Sequence, residues 1–131
     1  MKTYNINNAS QNPLIPINQV MNTTINSNPI PLQDTYIFSI QIVFTGTPTG
    51  SFKLQESCDP VSLATATGLQ TGLPTRWTDI ANSSFTVSAA GNVGWNFQFP
   101  GYNWVRIVYT DSSSGSSTAV ITSTTFNGKA S

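Results

Sequence analysis

The chain has 131 residues, enough for one domain that buries a core without staples. Charged residues make up 8% of it, five Lys/Arg against five Asp/Glu, so the net charge is zero. That excludes an electrostatic footprint for nucleic acid or an anionic membrane, which needs clustered cations.

The polar residues are mostly Ser, Thr, Asn and Gln. Such a surface suits packing against neighbours, because burying an amide or hydroxyl costs far less than burying an ion. The start, "MKTYNINNASQNPLIPI", has one lysine and no apolar stretch of signal type, so no secretory signal is expected. No apolar run is long enough to span a bilayer. The sequons at Asn8, Asn22 and Asn82 then read as chance matches. Pro13, Pro16, Pro29 and Pro31 punctuate the N-terminal segment, beside Leu14, Ile15, Ile17 and Ile30. Proline removes ladder donors and holds the chain extended. Residues 1–18 are therefore predicted to form an extended N-terminal arm that docks Pro13, Leu14, Ile15, Pro16 and Ile17 on another subunit. Residues 19–131 are predicted to be the β-sandwich. A loose leader with one edge strand is the alternative.

From there the period is two. "NQVMNTTI" is a weak strand, and "DTYIFSIQIVF" alternates Tyr36, Phe38, Ile40, Ile42 and Phe44 on one face. "TGTPTGS" reads as a tight, hairpin-like connection with glycines available for positive φ. "GSFKLQESC" puts Phe52, Leu54 and Cys58 on one side. Residues 59–76 form the longest break, with a short helix conceivable around Val61 to Thr65. "SSFTVSA", "GNVGWNFQF", "NWVRIVYT" and "STAVITSTTF" complete the strands, separated by "AAGN", "FPGYN" and "DSSSGSS". Regular short alternating strands between Gly, Pro, Asp and Ser clusters predict an all-β fold, a single antiparallel β-sandwich or jelly roll. The inward set should include Phe38, Ile40, Phe52, Leu54, Phe85, Trp95, Phe97, Val105 and Ile107.

Catalysis has little to work with. There is no histidine, and the carboxylates are Asp34, Glu56, Asp59, Asp79 and Asp111. Asp59 and Asp111 sit in turn sequences, where aspartate caps its own backbone. Cys58 is a lone cysteine without a partner for a disulfide or metal site, and its strand position predicts a buried, inert thiol. No phosphate-binding or dinucleotide loop occurs. The expectation is a non-enzymatic protein with no cofactor and no metal.

The stretches "FSIQIVFTGTPTGSFKLQESCDP" and "PTRWTDIANSSFTVSAAGNVGWNFQFPGYNWVRIVYTDSSSGSS" resemble a recurring bacteriophage virion β-sandwich domain. The resemblance runs from about Tyr36 to Val120. It implies a structural component of a phage particle (decoration, minor capsid, spike or tail) made in the host cytoplasm and located in the virion. Its partners would be other virion proteins, with a homo-oligomer expected. The alternative is a carbohydrate- or receptor-binding module of a spike or fibre, with a glycan as ligand.

Arg106 interrupts an apolar run. Val105 and Ile107 share one face of the strand and Trp104, Arg106 and Val108 the other, which marks a central strand covered on both sides. Arg106 is expected to lay its stem over Trp104 or Trp77 and pair with Asp79 or Glu56 as a structural ion pair. Alternatively, Trp77, Tyr102, Trp104 and Arg106 form an interface or glycan patch.

Overall fold

The computed structural model describes residues 2–7, 14–32, 35–59, 73–98 and 100–130. The expected short helix at 61–65, and Pro13 and Asp34, lie outside these residues. The strands are β1 (Lys2–Asn7), β2 (Gln19–Val20), β3 (Ile25–Asn26), β4 (Ile30–Pro31), β5 (Ile37–Thr45), β6 (Gly50–Ser57), β7 (Thr78–Asp79), β8 (Phe85–Val87), β9 (Gly91–Gln98), β10 (Trp104–Asp111) and β11 (Val120–Ala130).

Two antiparallel sheets pack face to face. The first runs β1-β11-β5-β9, with β2 also on β11; the second runs β3-β10-β6-β7, with β4 on β10 and β8 on β6. The connections β5–β6, β8–β9, β9–β10 and β10–β11 all change sheet, the alternation of a jelly roll. "TGTPTGS" is thus an arch between sheets and not a hairpin. Turn residues dictate where the chain reverses, but not which strand it then pairs with. Gly46 (φ 86°) makes that arch pass close to Ala119, where a side chain would collide.

The alternation places the core as expected for Phe38, Ile40, Ile42, Phe44, Phe52, Leu54, Trp95, Val105 and Ile107, all buried. Phe38 stacks on Phe97 and Phe126 at 5.5 and 5.8 Å; Phe52 meets Phe44 at 5.5 Å and Tyr109 at 4.8 Å. Phe97 is only partly buried. Phe85 departs from expectation. It stands opposite Phe52 in register and its ring leans on Trp95, yet 41% of it is exposed. β8 is a short outer strand, and no further strand among the described residues covers that ring. Cys58 is a second correction: it lies just past the end of β6 and is exposed. The two-residue period that predicted its burial stops at Ser57.

The arm is a third correction. β1 already pairs with β11, Lys2 opposite Ala130 through Asn7 opposite Thr125. β2 continues along the same edge of β11, with Gln19 opposite Ile121. Leu14 and Ile15 are buried in this chain's own core, at 3% and 0% exposure, and the Leu14 carbonyl accepts from the Asn28 amide at 2.9 Å. Pro16 and Ile17 are the exposed part. The apolar pair is consumed by its own sandwich because burying it there needs no second subunit.

Across the other sheet, Pro29 breaks one strand into β3 and β4 by removing a donor. Ser27 carries the ladder across the gap: its amide donates to the Ile107 carbonyl (2.9 Å) and its hydroxyl accepts from the Ile107 amide (2.8 Å).

Candidate functional site

β10 is a central strand with both faces covered: Trp104 and Val108 on its outer face are 2% and 6% exposed. Arg106, between them, does not pair with Asp79 or Glu56. Its Nε and Nη2 donate to Gln55 Oε1 at 2.9 and 2.7 Å, and its guanidinium carbon lies 4.3 Å from the centre of the Trp77 ring. Register explains the correction. Arg106 stands opposite Gln55, and Gln55 stands opposite Asp79, so the amide comes between the two charges. Gln55 Nε2 donates to Asp79 Oδ1 at 2.8 Å, and Lys53 Nζ reaches Asp79 Oδ2 at 3.0 Å. Glu56 stands opposite Val105, which points into the core, so its side chain starts from the face opposite Arg106. Partial burial lowers the Arg106 pKa, and the Gln55 and Lys53 donors lower that of Asp79.

This arrangement makes Arg106 a neutral-acceptor contact plus a ring contact. Substitution by Leu is expected to cost about 1–2 kcal/mol, less than the roughly 3–5 kcal/mol of a broken buried ion pair. Denaturant midpoints of Arg106→Leu and Gln55→Ala check this, since the two should lose similar amounts. A loss of the larger size in Arg106→Leu alone would restore an ionic role.

The four residues of the expected glycan patch do not share an exposed flat face. Trp104 is buried with its Nε1 donating to the Asp59 carbonyl at 3.1 Å, and Tyr102 packs on the core. Burial, and then the charge of Glu56, push the Tyr102 pKa up to about 12. Trp77 already carries Arg106 on one ring face.

Carboxylates elsewhere hold the backbone. Asp59 accepts from the Thr75 and Arg76 amides at 2.7 and 3.1 Å and from Arg76 Nε at 2.9 Å. It therefore caps the far end of the long excursion, where its turn sequence predicted a cap on its own backbone. Asp111 does cap its own turn, taking the Ser113 hydroxyl and the Ser113 and Gly115 amides. These donors lower both pKa values. A depressed carboxylate pKa adds stability that is present above the unfolded value, about 3.9, and is lost as pH falls through the folded value. The melting temperature is expected to hold between about pH 8 and 5 and to fall below about pH 4. Asp59→Asn with Asp111→Asn should flatten that acid limb. Among the described residues, no group of three or more His, Cys, Asp or Glu is placed to hold a metal ion.

Sequence reading missed the outer face of the first sheet. Register lines up Ser39 with Asn96 and Asn127, and Gln41 with Gly94 and Thr125. Asn92, Gln98 and Ser123 extend the same face, and Lys129 is its one charge among the described side chains. Ser39 donates to Asn96 Oδ1 at 3.2 Å. Gly94 leaves a dip in this face, a groove of about 340 Å³ bordered by Ser39, Gln41, Asn96, Thr125 and Asn127. The signal was there in β9, whose even positions read Asn, Gly, Asn, Gln, but it becomes a face only once β5 and β11 stand beside it.

No family model matches the chain, and no curated protein matches it. Solved structures do. The SPBc2 prophage-derived protein YomS superposes with a TM-score of 0.54 at 10% identity, over 98% of this chain and 94% of that one. The coat protein of Tobacco streak virus gives a TM-score of 0.46 at 10% identity, over 98% and 87%. The C-terminal CBM6 of a laminarinase from Zobellia galactanivorans gives 0.45 at 9%, over 95% and 98%. The first likeness shows a shared fold; the other two are too distant to bear on the argument.

Proposed function

We propose that this chain is a non-enzymatic structural subunit of a phage-type particle, packing on capsid or tail neighbours and on copies of itself. The observation that carries this reading is the outer face of the first sheet, which is built mostly of amides and hydroxyls and carries one charge, Lys129, among the described side chains. Ser39, Gln41, Asn92, Asn96, Gln98, Ser123, Thr125 and Asn127 offer donors and acceptors whose burial costs little once they are paired. With net charge zero, little repulsion opposes association. Two further points support it: the resemblance to phage virion domains over about Tyr36 to Val120, and a fold shared with a prophage-derived protein. Three of the four described carboxylates, Asp59, Asp79 and Asp111, are committed to backbone or neighbouring side chains, which argues for scaffolding over chemistry. The glycan-binding alternative has less support, because its aromatic patch is dispersed.

The test is mass spectrometry of purified particles from cells that make the protein, comparing the wild type with Gln41→Arg plus Thr125→Arg. The wild-type chain should be present in the particles, and the charged variant should fold normally and be absent. A wild-type chain missing from purified particles would overturn the reading.

A further inference from the structure

Sheet edges are normally defended, because an unpaired row of backbone N–H and C=O groups invites another strand. Both ends of the second sheet are. One end is β3 and β4, interrupted by Pro29 and Pro31; the other is β7 and β8, two and three residues long. The first sheet is different. Its terminal strand β9 is eight residues long, "GNVGWNFQ", with no proline and no charge. Among the described residues nothing pairs with the side of β9 away from β5. The opposite end is β1, six residues, with one charge at Lys2.

We infer that β9 of one copy pairs antiparallel with β1 of the next, so that the first sheet continues from subunit to subunit. The inference rests on the assembly reading above and names the contact. Direction permits it. Each of the pairs β1–β11, β11–β5 and β5–β9 is antiparallel, so β1 and β9 run in opposite senses. A copy shifted sideways by about four strand spacings, roughly 19 Å, brings its β1 beside β9 in the antiparallel sense. Alternation permits it too. In β9 the core-facing positions are Val93, Trp95 and Phe97, and the outer ones are Asn92, Gly94, Asn96 and Gln98. In β1 the register puts Tyr4 and Ile6 in the rows of Gly128 and Phe126, and Thr3, Asn5 and Asn7 in the outer rows of Lys129, Asn127 and Thr125. Joined with matching faces, the two edges extend both the core row and the Ser/Thr/Asn/Gln face; a one-residue slip would oppose the two patterns. This pairing consumes both long edges that are open among the described residues, whereas β9 against a second β9 leaves each β1 edge unpaired there. Because the contact is heterologous, it propagates into a ring or fibre.

The test uses the full chain with Cys58→Ser, which removes the single native thiol. Asn96→Cys and Asn5→Cys are introduced in separate preparations, then mixed with a short bis-maleimide cross-linker. The mixture should give a covalent dimer several-fold more abundant than either preparation alone. Adding Asn92→Lys and Gln98→Lys to the first preparation should abolish it without lowering the melting temperature. Cross-linking of Asn96→Cys with itself would instead show a two-fold β9 contact and overturn the inference, as would no cross-link at high protein concentration. If the cross-link forms but the chain is missing from particles, the functional reading falls and the contact stands. If the chain is in particles and the cross-link fails, only the contact falls.

Discussion

Replacing Ile15 by Ala is expected to destabilise the protein by about 2–5 kcal/mol, and removing residues 1–18 to abolish cooperative folding. Ile15 is fully buried and Leu14 nearly so, so either truncation leaves a cavity the surrounding sheets cannot close. The deletion adds further losses. It strips β1 from β11, opening a row of ladder bonds along Thr125 to Ala130, and takes away the Asn18 amide that donates to the Ile121 carbonyl at 2.9 Å. Ile17 is the internal control, since it is 54% exposed on the adjoining turn. Ile17→Ser should change stability by less than about 0.5 kcal/mol. Urea midpoints of the three proteins decide the matter. A truncated chain that melts like the full one would mean that residues 14 and 15 are dispensable to the core and free to serve a neighbour.

The second large effect is expected at Gly50. This residue stands opposite Val87 on β8 and Asp111 on β10, so both sides of its backbone are paired. A Cβ there would overlap the Thr110 carbonyl and come within 2.5 Å of the Tyr109 hydroxyl. Tyr109 could swing only by leaving Phe52, and Thr110 is held in the β10 ladder. Gly50→Ala should therefore cost about 3 kcal/mol, the upper part of the usual overpacking range. Tyr109→Phe should do the opposite. The Tyr109 hydroxyl is buried with no hydrogen-bond partner among the described residues. Its removal is expected to leave stability unchanged or raise it by up to about 1 kcal/mol. Thermal melts of the two single variants and the double variant test the pair. The double variant should stay well below wild type, because the clash with the Thr110 carbonyl remains. Equal melting of Gly50→Ala and wild type would show that the strands can part there at little cost.

Sequence alone determined the fold class and most of the core, because alternation is a local property of each strand. Phe38, Ile40, Phe52, Leu54, Val105 and Ile107 announce their side of the sheet through their neighbours at two-residue spacing, and all are buried. It also determined that β10 lies centrally, since Trp104 and Val108 leave no face of that strand for water. Tertiary structure alone decided what depends on which strands meet. Arg106 was legible as an anomaly, but its partner is set by the row Arg106–Gln55–Asp79, built from three strands far apart in the chain. No local pattern encodes that row. The same holds for Leu14 and Ile15, where prolines signalled an extended segment and could not say whether it would lie on its own sheets or another's. It holds too for the amide and hydroxyl face, which exists only because β9, β5 and β11 bring outward positions into common rows. Periodicity is written within a strand, whereas register, edges and faces follow from long-range pairing, where burial summed over the whole chain selects among arrangements that local sequence leaves equivalent.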